Sequence, residues 1–363
     1  MSLIENYLSL LKTNNFTSDD ITSKKYLLDY CIHTNTASFF LDSSNKEFIS
    51  AMESHDFREG ILSSKKKSLQ HQNSLKSFLK LANKHDIGVC LLKGAYMSNF
   101  VYPDFSMRSM RDIDVLVHED DFLEIVNIML ENGYCFLNSN ERRLTKFNFD
   151  YAHQAPILVD RFGVAVEIHH RLKTHSEIIN SDYLTKNLMK NKKKKILFGL
   201  PLSVPDDNFA FIHCCHHAIS KSRLNIGPIF LIDLMQFKNR INEDVLEDAK
   251  KANCFNDVVL GTQLYNYLHG ISVVNEKQVK ESLEIIIYCQ NMPEFLPRKK
   301  FNLLKAMKKS YFFLLSSFSF KGAIVYLNLK LKQIFTFFKS YILNYSLHKK
   351  RTKFFKDFNS EGM

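Results

Sequence analysis

Apolar residues recur at helical spacing through most of the first 85 positions. In "SLQHQNSLKSFLKLANKHDI", Leu75, Phe78, Leu79 and Ala82 fall on one stripe of a 3.6-residue repeat, and "YLSLLK" and "SKKYLLDYCIHT" are further helical runs. The period then shortens. "IGVCLLK" (87–93) is a brief β-type run closed by Gly94, and "AYMSNFVY" is a short helix ended by Pro103. "DIDVLV" (112–117) is the next strand. It leads into "HEDDFLEIVNIMLENGY", where Phe122, Ile125, Val126, Met129 and Leu130 keep the helical stripe until Gly133 stops it. "APILVDRFGVAVEIHHRL" contains two strands around Asp160-Arg161-Phe162-Gly163, a turn sequence suited to a hairpin.

Beyond the lysine run Lys192–Lys195 the pattern turns helical again. "PDDNFAFIHCCHHAIS" opens on Pro205-Asp206 and "PIFLIDLMQFKNRI" on Gly227-Pro228, both suited to helix starts. The expected fold class is α+β, a small mixed sheet with flanking helices. Its expected parts are a helical N-terminal region (1–85), an α/β core (86–190), a helical domain (200–290) and a basic, aromatic-rich helical tail (296–363). The lysines at 190–195 are expected to form a solvated linker.

Composition and charge alter this picture at one end only. With 363 residues, 45% of them hydrophobic, the chain can bury a sizeable core. The net charge of +11 suggests a polyanion partner until it is located: residues 291–363 hold 15 Lys/Arg against three acids, and the remainder holds 34 basic and 35 acidic residues. The tail is therefore the expected site of any contact with an anionic membrane surface, with packing against the body and nucleic-acid binding as alternatives. Its longest uncharged stretch, Ser310–Phe320, is too short to cross a bilayer. Seven cysteines without a CxxC pair, and an N-terminus without a signal-peptide pattern, fit a cytoplasmic protein, with the tail offering peripheral attachment at the inner membrane face.

The candidate chemistry lies in "LLKGAYMSNFVYPDFSMRSMRDIDVLV". Strand alternation puts Asp112, Asp114 and Leu116 on one face and Ile113, Val115 and Val117 on the other. Two carboxylates one pleat apart need a positive partner. A divalent cation, Mg²⁺ or Mn²⁺, suits their hard oxygens. The competing reading is a structural salt-bridge cluster with Arg108 or Arg111. In "VAVEIHH", Glu167 and His169 share a face, and a third carboxylate on a neighbouring strand would complete a metal site. A glycine at the Lys93-Gly94 turn allows backbone N–H groups to approach phosphate, with Lys93 as a point charge. Arg108 is either a phosphate contact or the partner of Asp104 or Asp112. Asp233, set in an apolar helix, needs a buried partner, for which His213, His217 and Arg223 are the candidates.

The Lys-Gly turn, the arginine ahead of "DIDVLV" and the later acid-hydrophobic-His strand resemble the bacterial uncharacterised nucleotidyltransferase family of the nucleotidyltransferase-fold (DNA polymerase β-like) superfamily. The similarity runs from about residue 70 to 240. It implies a magnesium-dependent enzyme that moves a nucleoside monophosphate from an NTP to an acceptor and releases pyrophosphate. The acceptor would be a sugar, a cell-surface glycan precursor or a peptide, among others. Carried over, Gly94, Lys93 and Arg108 would contact the triphosphate, and Asp112, Asp114 and Glu167 would hold Mg²⁺. Glu167 would also assist deprotonation of the acceptor, and His169 would act beside it. The chain departs from the superfamily at Ala95, where Gly or Ser is usual. A DxD glycosyltransferase and a non-catalytic nucleotide-binding scaffold are the alternative readings.

Overall fold

The computed structural model describes residues 3–13, 21–42, 50–51, 53–137, 149, 152–173, 182–222, 224–238 and 240–287. Met1–Lys173 and Asp182–Lys300 make one compact unit. The second unit, Thr174–Ser181 with Phe301–Met363, falls outside the described residues, as does the whole of the basic tail.

Among the described residues, α1 (Leu3–Thr13), α2 (Ile21–His33) and α3 (Ala37–Asp42) lie ahead of the long α4 (His55–Lys84). The α4 stripe expected from spacing is buried: Leu75, Phe78, Leu79 and Ala82 are fully covered, continued toward the N-terminus by Ile61 and Phe57. The N-terminal helices close against the end of the described chain, where the Tyr30 hydroxyl donates to the Ile287 carbonyl at 2.8 Å.

Among the described residues the centre is a seven-stranded sheet, from its edge β3 (Cys135–Phe136) through β4 (Leu158–Val159), β5 (Ala165–His169), β2 (Asp112–Val117), β1 (Val89–Leu91) and β7 (Leu200–Val204) to β6 (Lys193–Leu197). Strand β1 (Val89–Leu91) passes through a sharp turn into α5 (Lys93–Phe100), and the chain returns antiparallel to β1 as β2 (Asp112–Val117). Helix α6 (Phe122–Glu131) buries Phe122, Ile125, Val126 and Met129, and the chain turns at Gly133, whose φ is +88°. The short strands β3 (Cys135–Phe136) and β4 (Leu158–Val159) follow, and β4 forms the expected hairpin with β5 (Ala165–His169). At its tip Asp160 Oδ1 accepts from the N–H groups of Phe162 and Val164, and Gly163 takes a φ of +79°.

The lysine run is not a linker. Lys193–Leu197 is strand β6, paired antiparallel with β7 (Leu200–Val204) through a turn at Phe198-Gly199 in which both residues have positive φ. The alternation that marks a half-buried strand is absent because β6 is the outermost strand, with Lys193, Lys194 and Lys195 all exposed. Lysines on an edge strand discourage pairing with another chain. The sheet thus runs on past residue 190 to Val204.

After helix α7 (Tyr183–Asn191) and the β6–β7 hairpin come α8 (Asp207–His216), α9 (Ile229–Gln236), α10 (Val245–Lys251), α11 (Phe255–Leu268) and α12 (Glu276–Ile287). Asp206 caps α8 by accepting from Asn208 N–H at 3.0 Å. Among the described residues, no helix is long and apolar enough to cross a membrane.

Candidate active site

Strands β2 and β5 are parallel neighbours, and their register sets Asp114 directly opposite Glu167 and Leu116 opposite His169. Residues opposite one another share a face of the sheet, so the two aspartates of β2 meet Glu167 and His169 of β5. The other face of β2 packs into the core through Ile113, Val115 and Val117, all buried. The acid-bearing face is covered too. Asp114 is only 2% exposed, because the face forms one wall of a cavity of about 390 Å³ whose opposite side is built by α8 and the segment before α9.

Asp114 is the hub. Its Oδ1 accepts from the Lys93 ammonium at 2.6 Å and lies 3.0 Å from His169 Nε2. Glu167 Oε2 stands 3.9 Å from Lys93 Nζ and 3.6 Å from His169 Nε2. Lys93 therefore reaches the carboxylates themselves. Its own backbone has a φ of +41°, a left-handed conformation that costs a non-glycine residue roughly 1–2 kcal/mol.

These charges share too little positive compensation. Burial, then Asp114 and Glu167, push Asp112 up to about 7, against the weaker pulls of Lys93 and Arg108. Burial works against ionised Asp114 too, but Lys93 and His169 outweigh it and hold that carboxyl well below the usual range. Burial alone would lower Lys93, yet Asp114 and Glu167 raise it. Three carboxylates therefore face a single ammonium. Hard oxygen donors and an uncompensated negative charge fit a divalent cation. Ligand atoms of Asp114, Glu167 and His169 lie within 4.8 Å of one another, a spacing that one ion can bridge.

Gly94 and Arg108 belong to a second cluster beside the first. Arg108 makes a forked ion pair with Asp233, Nε to Oδ1 at 3.1 Å and Nη2 to Oδ2 at 2.8 Å, and its Nη1 donates to the Ser109 carbonyl. The Tyr102 hydroxyl donates to the same Asp233 Oδ1 at 2.8 Å. The partner of Arg108 is thus neither Asp104, which caps the turn at Phe105–Met107, nor Asp112. Likewise Asp233 is met by Arg108 and Tyr102 rather than by His213 or His217; Arg223 is outside the described residues. A Cβ on Gly94 would lie 2.8 Å from Arg108 Nη1 and 3.2 Å from Met110 Cγ, so the absence of a side chain there is what admits the guanidinium.

The rest of the cavity wall includes Arg111, His213 and His217. Arg111 precedes β2, so strand alternation does not govern it, and it lines the cavity. His213 and His217 line it from α8 and from the π-helical turn His217–Lys221. Burial and then the Lys93 charge hold both imidazoles below their ordinary range, His217 at about 3, so both are neutral at pH 7. His170 faces away, stacked on Phe149 with its Nε2 3.1 Å from that residue's carbonyl oxygen.

The comparisons with known proteins concern the family of the chain. A family described as uncharacterised nucleotidyltransferases matches residues 27–270, a span that includes α4, the whole sheet and every acid of the site. The chain belongs to that family. Nucleotidyl transfer is accordingly the general chemistry of the fold in which these acids sit. No curated protein matches the sequence. A crystal structure of an antigenic nucleotidyltransferase-like protein from Paracoccidioides brasiliensis is similar at 10% identity and a TM-score of 0.26, over 60% of this chain and 94% of that one.

Proposed function

We propose that this nucleotidyltransferase-family chain transfers a nucleoside monophosphate from an NTP to an acceptor, using Asp112, Asp114 and Glu167 as the ligands of Mg²⁺ or Mn²⁺. The supporting observation is the register of β2 on β5, which sets Asp114 against Glu167 on one covered face. The cation, when bound, neutralises triphosphate charge and stabilises the in-line transition state.

The residues of the chain divide the remaining work. Glu167, more exposed than the Asp114 it faces, takes up the proton of the acceptor hydroxyl. Lys93 and His169 both hold Oδ1 of the Asp114 carboxylate, so its orientation does not depend on substrate. Arg108 is a positioning residue: its fork on Asp233 holds the segment leading into β2. The cavity walls formed by α8 and the segment before α9 supply, in His213 and His217, neutral imidazoles for an acceptor or base.

Incubation with each labelled NTP and Mg²⁺ tests the proposal. Pyrophosphate release by the wild type that is abolished in Asp112→Ala/Asp114→Ala supports transfer. Equal signals from both proteins, or none from either, would exclude these acids as its site.

A further inference from the structure

Three carboxylates gathered at the edge of a cavity can hold two divalent cations. In this chain one of those positions already has an occupant. We propose that Lys93 is the resident cation between Asp114 and Glu167, so that the three acids together take one divalent cation and a tethered ammonium stands in for a second.

Four observations lead there. Lys93 Nζ lies 2.6 Å from Asp114 Oδ1 and 3.9 Å from Glu167 Oε2, bridging the two acids that face each other across β2 and β5. Asp114 Oδ1 also has His169 Nε2 at 3.0 Å, so both of its lone pairs are engaged, and a metal ion can take that oxygen only if a donor leaves. The lysine is built in rather than draped across the opening: its side chain is 17% exposed, and a nearly buried ammonium is stable only beside its counter-charges.

The turn that carries it is also held from both sides. The Leu92 N–H donates to the Asp114 carbonyl at 3.0 Å, and Gly94 is hemmed in by Arg108 and Met110. A non-glycine residue in a left-handed conformation persists only where its surroundings over-determine it, which points to a side chain kept in place for its charge.

This inference rests on reading Asp112, Asp114 and Glu167 as cation ligands, and its test needs no turnover. Titrating nucleotide-free, full-length protein with Mn²⁺ and following the free-ion signal by electron paramagnetic resonance counts the sites. The expected result is one Mn²⁺ per chain in the wild type, two in Lys93→Gly and none in Asp112→Asn. Lys93→Gly suits the left-handed backbone, so the turn is preserved when the ammonium is removed. Lys93→Met, which keeps the length of the side chain, is run beside it and should also bind two. Two ions in the wild type, one in wild type and Lys93 variants alike, or none in any protein would each overturn the inference. Pyrophosphate release measured on the same preparations judges the transferase reading separately.

Discussion

Two groups of buried charge lie side by side in this molecule, and they are composed differently. Around Asp233 the charges are matched: one carboxylate, one guanidinium forked onto it, and a tyrosine hydroxyl on the oxygen that Arg108 Nε shares. Around Asp114 they are not: three carboxylates share one ammonium, and Asp112 responds by holding its proton up to about 7. A third buried pair, His216 Nδ1 on Asp257 Oδ2 at 2.8 Å, is matched again. A matched network is satisfied without a ligand and holds helices in place. An unmatched one keeps a standing affinity for cations. The contrast separates structure from function more sharply than burial does, since Asp233 and Asp114 are almost equally buried.

The contrast can be broken most forcefully at Asp233. Removing one partner of a buried pair leaves the other uncompensated, so Asp233→Ala should cost about 3–5 kcal/mol of unfolding free energy. Replacing both partners, in Arg108→Met with Asp233→Leu, should recover much of that loss. Urea unfolding of the single and double variants measures both. A single variant as stable as the wild type would remove Asp233 from the structural class.

A smaller effect, on the same side of the comparison, comes from pH. Burial works against a charged His216, but its bond to Asp257, with Cys254 close by, outweighs it and raises the imidazole to about 9 from an ordinary value near 6.5. The folded state therefore binds this proton more tightly than the unfolded one. The stabilisation is fully present below pH 6.5 and is lost as pH rises through 9, by up to about 3 kcal/mol. Melting temperatures of the wild type between pH 6 and 9.5 should fall relative to those of Asp257→Asn, in which the raised value is gone. Parallel curves would mean that the pair does not carry the proton.

The reading of the sequence followed the same division. The acid face of β2 was legible because strand alternation is a local rule, and Glu167 with His169 could be added because β5 obeys it too. What lay beyond reach were pairings between distant segments. Arg108 and Asp233 are 125 positions apart, and no local pattern announces that they meet. Lys93 was legible as a charge beside a glycine, but its direction, onto Asp114 rather than toward the open cavity, depends on a left-handed backbone that a lysine does not advertise. The strand of lysines was misread for a related reason. An edge strand exposed on both faces has no hydrophobic period, and only its hairpin partner makes it a strand.

Gly94 gives the smallest and most discriminating test, because it lies where the two groups touch. Its turn was read as a phosphate cradle, and a glycine there would then matter because a ligand comes close. Its φ is not in the left-handed region, so backbone freedom does not explain it. What the structure puts against Gly94 is the Arg108 guanidinium, with a hypothetical Cβ 2.8 Å from Nη1, and Nη1 is already bonded to the Ser109 carbonyl. Gly94→Ala must therefore displace the arginine that pairs with Asp233, an overpacking cost of about 1–3 kcal/mol measurable in nucleotide-free protein. If Gly94 serves only an incoming phosphate, stability without nucleotide is unchanged and only NTP binding weakens. Unfolding of Gly94→Ala in the Arg108→Met background decides between them: with a shorter, uncharged side chain opposite, most of the cost should vanish, because the clash is with the matched cluster.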